Sequence, residues 1–327
     1  MADIAGGGAS DPADLDAHWC GDPDALPTWL HDALATPRER LAVRHDGIDL
    51  NAFRWGDPAR PGLILTHGFL SHARSFAFIA PFLANDFHVV AFDHAGMGDS
   101  GHRDGYSEAS RVADLLAVAE ETGLFAEGRR PTIVAHSFGA SIGLRTAELH
   151  ADRFSGLIVC DLMVLRPERL QAHFEGGGRR PGPRDPTRPN RVYPDYETAR
   201  ERYVLSPPQP VGVPLLMDYM AFHSMERHEG GWRWKFDPGV TAPSGPRDEQ
   251  LSSLGPRLVA LDATGFPLSI VHGEDSVLFD RDSAAYLREL GGTMPIIGIP
   301  EAAHHLMLDQ PIAFVTALRT VLAHLKT

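Results

Sequence analysis

Thr132-Ile133-Val134-Ala135-His136-Ser137-Phe138-Gly139-Ala140-Ser141-Ile142-Gly143 runs from an apolar, β-branched segment straight into a helix-like pattern, with a serine at the junction. The pattern is that of a G-x-S-x-G nucleophile elbow with Ala135 in place of the first glycine. Such an elbow needs a turn so sharp that the serine backbone is strained and its hydroxyl stands free at the strand end. Small residues two before and two after Ser137 let strand and helix approach, and Ala140 and Gly143 keep the helix close to the sheet.

Short apolar runs of the kind buried on both faces of a sheet recur outward from this point. They cover residues 63–66, 88–92, 132–135, 156–160, 267–271 and 294–299. Helical patterns lie between several of them, at 73–83, 108–122, 141–150, 281–290 and 311–325. This alternation predicts an α/β fold with a mostly parallel central sheet and helices on both faces. Asp46-Gly47 between two alternating segments predicts a β-hairpin at the start.

Residues 1–37 are rich in Ala, Gly, Asp and Pro and are expected to form a flexible leader, with a short helix near 29–34. The α/β alternation stops at residues 163–257, read as an inserted, mainly helical cap over the carboxyl edge of the sheet. The core is then 38–162 with 258–327. Gly176 to Pro183 cannot form a helix interior or a central strand.

Composition narrows the function. The 327 residues carry a net charge of −13, which leaves no obvious footprint for nucleic acid or an anionic membrane. No apolar run is long enough to span a bilayer, and the N-terminus lacks a basic segment followed by an apolar core. Two cysteines, Cys20 and Cys160, do not make a disulfide framework. A cytoplasmic protein is expected, and homo-oligomerisation is left open. The 17 histidines show no metal-ligand spacing, so neither metal nor cofactor is expected.

Four motifs occur in order: His67-Gly68-Phe69 after the first central strand, Asp93 to Ser100 after the second, the Ser137 elbow after the third, and Ala303-His304-His305 after the last. Together they resemble the α/β-hydrolase superfamily, in particular its cap-bearing branch of epoxide hydrolases, haloalkane dehalogenases, esterases and C–C bond hydrolases. The resemblance covers residues 38–162 and 258–325. It implies Ser137 as nucleophile. The dehalogenases and epoxide hydrolases carry Asp there, so serine implies acyl transfer. It implies His304 as base, seven residues before Pro311, with His305 the neighbouring alternative. The usual acid position, three residues after Gly273, holds Ser276. A second family arrangement implies Asp161, five residues after Gly156, and Asp275 remains the alternative acid. The backbone N–H groups of Phe69 and Phe138 are the expected oxyanion donors, with Gly68 allowing close approach. The Asp93–Ser100 turn, including His94, and His67 are expected to be structural.

In the cap, Tyr219, Phe222, Trp232 and Trp234 are candidates for a pocket roof, and Arg179, Arg180, Arg184, Arg188 and Arg191 for steering an anionic substrate. The function expected is a serine hydrolase acting on a small or medium apolar ester or lactone. A C–C bond hydrolase of a ring-fission diketone and a non-catalytic ligand receptor on the same fold are the alternatives.

Overall fold

The computed structural model describes residues 11–175, 188–242 and 251–325. Eight strands form one sheet: β1 (Glu39–His45), β2 (Ile48–Trp55), β3 (Gly62–Thr66), β4 (His88–Phe92), β5 (Thr132–His136), β6 (Gly156–Cys160), β9 (Leu268–Gly273) and β10 (Ile296–Ile299). Two more, β7 (Met225–His228) and β8 (Gly231–Trp234), make a separate hairpin. The sheet order is β1-β2-β4-β3-β5-β6-β9-β10. The pairs β1–β2 and β2–β4 are antiparallel and the rest parallel. Asp46 and Gly47 both have positive φ, as a tight two-residue hairpin turn requires.

Alternate residues of the central strands feed opposite faces. Leu63, Leu65, Val89, Ala91 and Val134 pack with the helix Pro311–Leu325. Ile64, Val90, Ile133 and Ala135 pack with residues of the helices Glu108–Glu121, Phe138–His150, Leu254–Asp262 and Arg281–Glu289. Strands β3 to β6 are buried throughout, which is why their sequences read as unbroken apolar runs. The helix expected over 73–83 is instead a 3-10 turn, Ala73–Phe76, and a short helix, Ala80–Leu83. Pro81 lacks the N–H a continuous helix would need and stands in the first turn of the second piece.

The flexible leader is corrected for residues 11–37. Short helices occupy Pro12–Leu15, Ala17–Cys20, Pro23–Ala25 and Thr28–Ala35. Asp11, Asp16 and Asp22 accept backbone N–H groups at the starts of the first three. Trp19, Leu26, Leu30 and Leu34 are buried in the core. Asp14 is fully buried between Arg38 and Arg74 and accepts a hydrogen bond from Tyr219 Oη at 3.0 Å. The Asp and Pro that suggested disorder are therefore caps and an ion-pair anchor.

Between β6 and β9, the helices Pro167–Glu175, Tyr196–Arg200 and Pro214–His223 accompany the β7–β8 hairpin, so the inserted region is more mixed than the mainly helical cap expected. The boundary at 257/258 falls inside the helix Leu254–Asp262, whose Leu254, Leu258 and Leu261 belong to the core. Arg257 makes two hydrogen bonds of 2.8 Å to Glu148 on the helix following Ser137. Several contacts among the described residues tie the insertion to the core, beyond the Tyr219–Asp14 hydrogen bond. His72 Nε2 donates to the Met220 carbonyl at 3.1 Å. Tyr106 Oη donates to Asp237 at 2.6 Å while Lys235 pairs with Asp99. Gln209 bridges the His305 N–H and the Asp309 carboxylate.

Candidate active site

Ser137 follows β5 with φ 53° and ψ −120°, a conformation that L residues rarely adopt. Its N–H is tied to the Cys160 carbonyl of β6 at 2.9 Å. The turn is possible because of what lies around it. A Cβ on Gly139 would stand 2.6 Å from the His67 carbonyl and 2.7 Å from that of Thr66, so no side chain fits. A Cβ on Gly68 would lie 3.0 Å from His136 Nδ1 and 3.4 Å from Ser137 Cβ, so the loop after β3 passes directly against the elbow. On that loop Leu70 has φ 56°, and the rings of Phe69 and Phe138 meet edge to face at 5.6 Å. Phe69 is 39% exposed.

Asp161 follows β6 with φ 48° and is fully buried. Its Oδ1 is 2.8 Å from His304 Nδ1 and 2.6 Å from Ser276 Oγ, and its Oδ2 accepts the Gly273 N–H at 2.9 Å. Three donors thus replace the water lost on burial. With Nδ1 donating to Asp161, a neutral His304 presents Nε2 as a free base. The loop bearing His304 is tied to the elbow: His136 Nε2 donates to the His304 carbonyl at 2.9 Å, and the two rings lie 4.8 Å apart. Asp309 accepts the Ala303 N–H at 2.8 Å from the other side.

Asp275, the alternative acid, is corrected. It is exposed, and its N–H goes to the Ala302 carbonyl. Ser276, which occupies the usual acid position, instead supports Asp161. His305 is half-buried and pairs with no carboxylate among the described residues, and desolvation of its ring, with His304 beside it, holds its pKa down at about 3, so it stays neutral.

The supporting shell is built from neutral histidines. The His94 N–H donates to His67 Nε2 at 3.0 Å, which leaves His67 Nδ1 to donate to the Gly68 carbonyl at 2.8 Å. Burial lowers the His67 pKa to about 4 and that of His94 further below its usual value. His94 Nε2 lies 2.6 Å from Thr66 Oγ1. Asp93 accepts N–H groups from Ala73 and Asp99 and the side-chain amide of Asn51, and a Cβ on Gly98 would strike its carboxylate. The turn therefore braces the loop after β3.

Three of the four cap aromatics are corrected. Tyr219 is fully buried against Trp19, Phe78 and His223. Phe222 and Trp232 pack in a separate cluster with Tyr193, Tyr196, Ala221 and Met225. Trp234 does reach the elbow side, where it packs with Met97, Phe236 and Val240 beside Leu70, Tyr106 and Phe138. A sequence pattern of aromatics does not say which face of a cap meets the core. Arg188 and Arg191 are exposed, and Arg179, Arg180 and Arg184 lie outside the described residues. Among the described residues no helix is long and apolar enough to cross a membrane.

Comparison with known proteins agrees with this fold. An esterase of Mycobacterium tuberculosis is 25% identical over 278 residues, covering 84% of this chain and 86% of that protein. A solved structure of that esterase superposes with a TM-score of 0.68 at 22% identity, over 90% of this chain and 96% of the other. Epoxide hydrolase A of the same organism is 32% identical over 136 residues, which span 40% of this chain and only 41% of that enzyme. The model of the alpha/beta hydrolase family matches residues 63–318, well over half of the chain. With the parallel sheet, the strained serine after β5 and a histidine–carboxylate pair at the same sheet edge, that match places the chain in the alpha/beta hydrolase family.

Proposed function

We propose that the protein is a serine hydrolase that cleaves a carboxylic ester or lactone through an acyl-enzyme, with Ser137, His304 and Asp161 as its triad. The observation that carries this reading is the 2.8 Å contact between His304 Nδ1 and the buried Asp161, on a loop hydrogen-bonded to the residue before Ser137. His304 Nε2 takes the Ser137 hydroxyl proton as Oγ bonds to the carbonyl carbon. The N–H groups of Phe69 and Phe138 receive the developing oxyanion. The tetrahedral intermediate expels the alcohol, which leaves with the proton held on His304. Water, deprotonated by His304, then attacks the acyl carbon, and the acid departs as Ser137 regains its proton.

Asp161 fixes the imidazole tautomer and stabilises the imidazolium without itself taking the proton. Residues 163–257 act as a cap, and Trp234 with Phe236 contributes an apolar wall beside Phe138. The test is turnover of p-nitrophenyl acetate and butyrate and of a set of small lactones by wild type and Ser137→Ala. The reading predicts ester or lactone turnover that Ser137→Ala abolishes while the thermal unfolding transition is retained. Cleavage of a dienoic diketone without any ester turnover would instead favour a C–C bond hydrolase.

A further inference from the structure

Arg111, in the first turn of the helix Glu108–Glu121, is a buried cation that forms no ion pair among the described residues; the carboxylate whose charge reaches it, Asp114, is paired with Arg103. Arg111 is 4% exposed. Its guanidinium carbon lies 4.9 Å from the ring centroid of Phe138 and 5.2 Å from that of Tyr106. Among the described residues its hydrogen bonding is one contact, from Nη1 to the Ala95 carbonyl at 3.5 Å, for a group with five N–H donors. No carboxylate forms an ion pair with it among the described residues, although the buried Arg38 and Arg74 and the half-buried Arg103 are paired. Arg38 and Arg74 share Asp14, and Arg103 takes Asp114 at 2.8 Å. The imidazoles that face Arg111, His67 and His94, are held neutral by burial and supply no countercharge. Burial also draws Arg111 down, to about 10, which still leaves it cationic at neutral pH.

A desolvated, unpaired guanidinium is costly to keep inside a protein. This one lies over the ring of the residue after Ser137, a ring that packs beside Met97, Phe236 and Val240. The position suits a ligand that is apolar along its length and anionic at its end. One negative charge balances one guanidinium in these apolar surroundings, so a carboxylate fits better than a doubly charged phosphate monoester.

We propose that Arg111 anchors a free carboxylate on the substrate, and that the natural substrate is an ester or lactone with an acidic tail. The proposal rests on the hydrolase reading above and sharpens its substrate class.

The test compares kcat/KM for mono-p-nitrophenyl succinate and mono-p-nitrophenyl glutarate with that for p-nitrophenyl butyrate, in wild type, Arg111→Met and Arg111→Lys. Wild type is expected to prefer one of the charged esters. In Arg111→Met the charged-to-neutral ratio should fall by roughly ten- to a hundredfold, mainly through KM, as loss of a hydrogen-bonded charge pair predicts. Arg111→Lys should recover part of that ratio. A ratio that does not move, or equal losses on both ester types in both variants, overturns the proposal and makes Arg111 a brace for Phe138. Calorimetric titration of glutarate into wild type and Arg111→Met reads the anion site apart from turnover. Should no ester be hydrolysed at all, the hydrolase reading fails separately. Glutarate binding that disappears in Arg111→Met would then still support the carboxylate anchor, and binding that is absent or indifferent to Arg111 would overturn it.

Discussion

Ser276 donates its hydroxyl proton to Oδ1 of Asp161 at 2.6 Å, and that same oxygen faces His304 Nδ1 at 2.8 Å. Ser276 therefore holds the carboxylate in the orientation that the imidazole needs. Replacing Ser276 by Ala removes one charge-assisted hydrogen bond from a buried group. The expected result is a roughly tenfold lower kcat with little change in KM, in a steady-state assay with a p-nitrophenyl ester.

The two carboxylates weighed from sequence should separate cleanly. Asp161→Asn preserves shape but removes the charge that orients and stabilises His304. It should lower kcat by about four orders of magnitude. Asp275 is exposed and apart from His304, so Asp275→Asn should stay within about twofold of wild type, as surface substitutions usually do. Parallel kcat measurements on the two variants decide the matter, and a larger loss in Asp275→Asn would reverse the assignment.

The strained serine was legible because it stands in a pattern that backbone geometry demands, whereas His304 was marked by the family resemblance, seven residues before Pro311. A strand cannot turn into a helix at Ser137 unless Gly139 is bare, and that requirement is written in the sequence. The carboxylate that pairs with His304 was legible only as a pair of options, because nothing local distinguishes a carboxylate after β6 from one after β9. What separates them is a contact across 143 residues of chain, between Asp161 and His304. The N-terminal segment was misread for a related reason. Asp11 and Asp14 look like the composition of a flexible tail until Arg38 and Arg74, far along the chain, are brought to them. Tyr219 was misplaced because an aromatic on a cap helix can face either the pocket or the body, and Asp14 draws it to the body.

That N-terminal anchor carries its own prediction. Asp14→Ala would leave Arg38 and part of Arg74 buried without their carboxylate and would free Tyr219 Oη. Stability should fall by about 3–5 kcal/mol, the usual result of removing one partner from a buried ion pair. Urea unfolding would register this as a lower midpoint. An unchanged midpoint would mean that residues 11–35 contribute little to the fold.

The desolvated histidines set the response to acid. Desolvation lowers His67 and His88 to about 4, and His72 and His305 to about 3. An unfolded histidine titrates near 6.5, so below that pH the unfolded chain takes up protons that the folded chain refuses. Stability therefore falls as pH drops from 6.5 toward 4 and 3. Asp93 acts in the opposite sense. Burial, together with the neighbouring charge of Asp99, raises it to about 6, so it gains stability as pH falls from there toward 3.8. Among the described residues His94, His136 and His223 are also drawn down, which makes seven histidines, against four raised aspartates, Asp14, Asp93, Asp114 and Asp309, and the balance is a net loss at about 1.4 kcal/mol per pH unit for each group not offset. Urea unfolding at pH 7.5 and pH 5.0 should show the lower midpoint at pH 5.0.

Covalent labelling reads the role of Ser137 without depending on the natural substrate. The folded protein is treated with a fluorophosphonate and the adduct is located by peptide mass spectrometry. One adduct per chain on Ser137 is predicted, with loss of p-nitrophenyl ester turnover in proportion to labelling and much slower labelling in His304→Ala. Turnover that persists with Ser137 fully labelled, or a stoichiometric adduct on another residue, would contradict the assignment of Ser137 as the nucleophile.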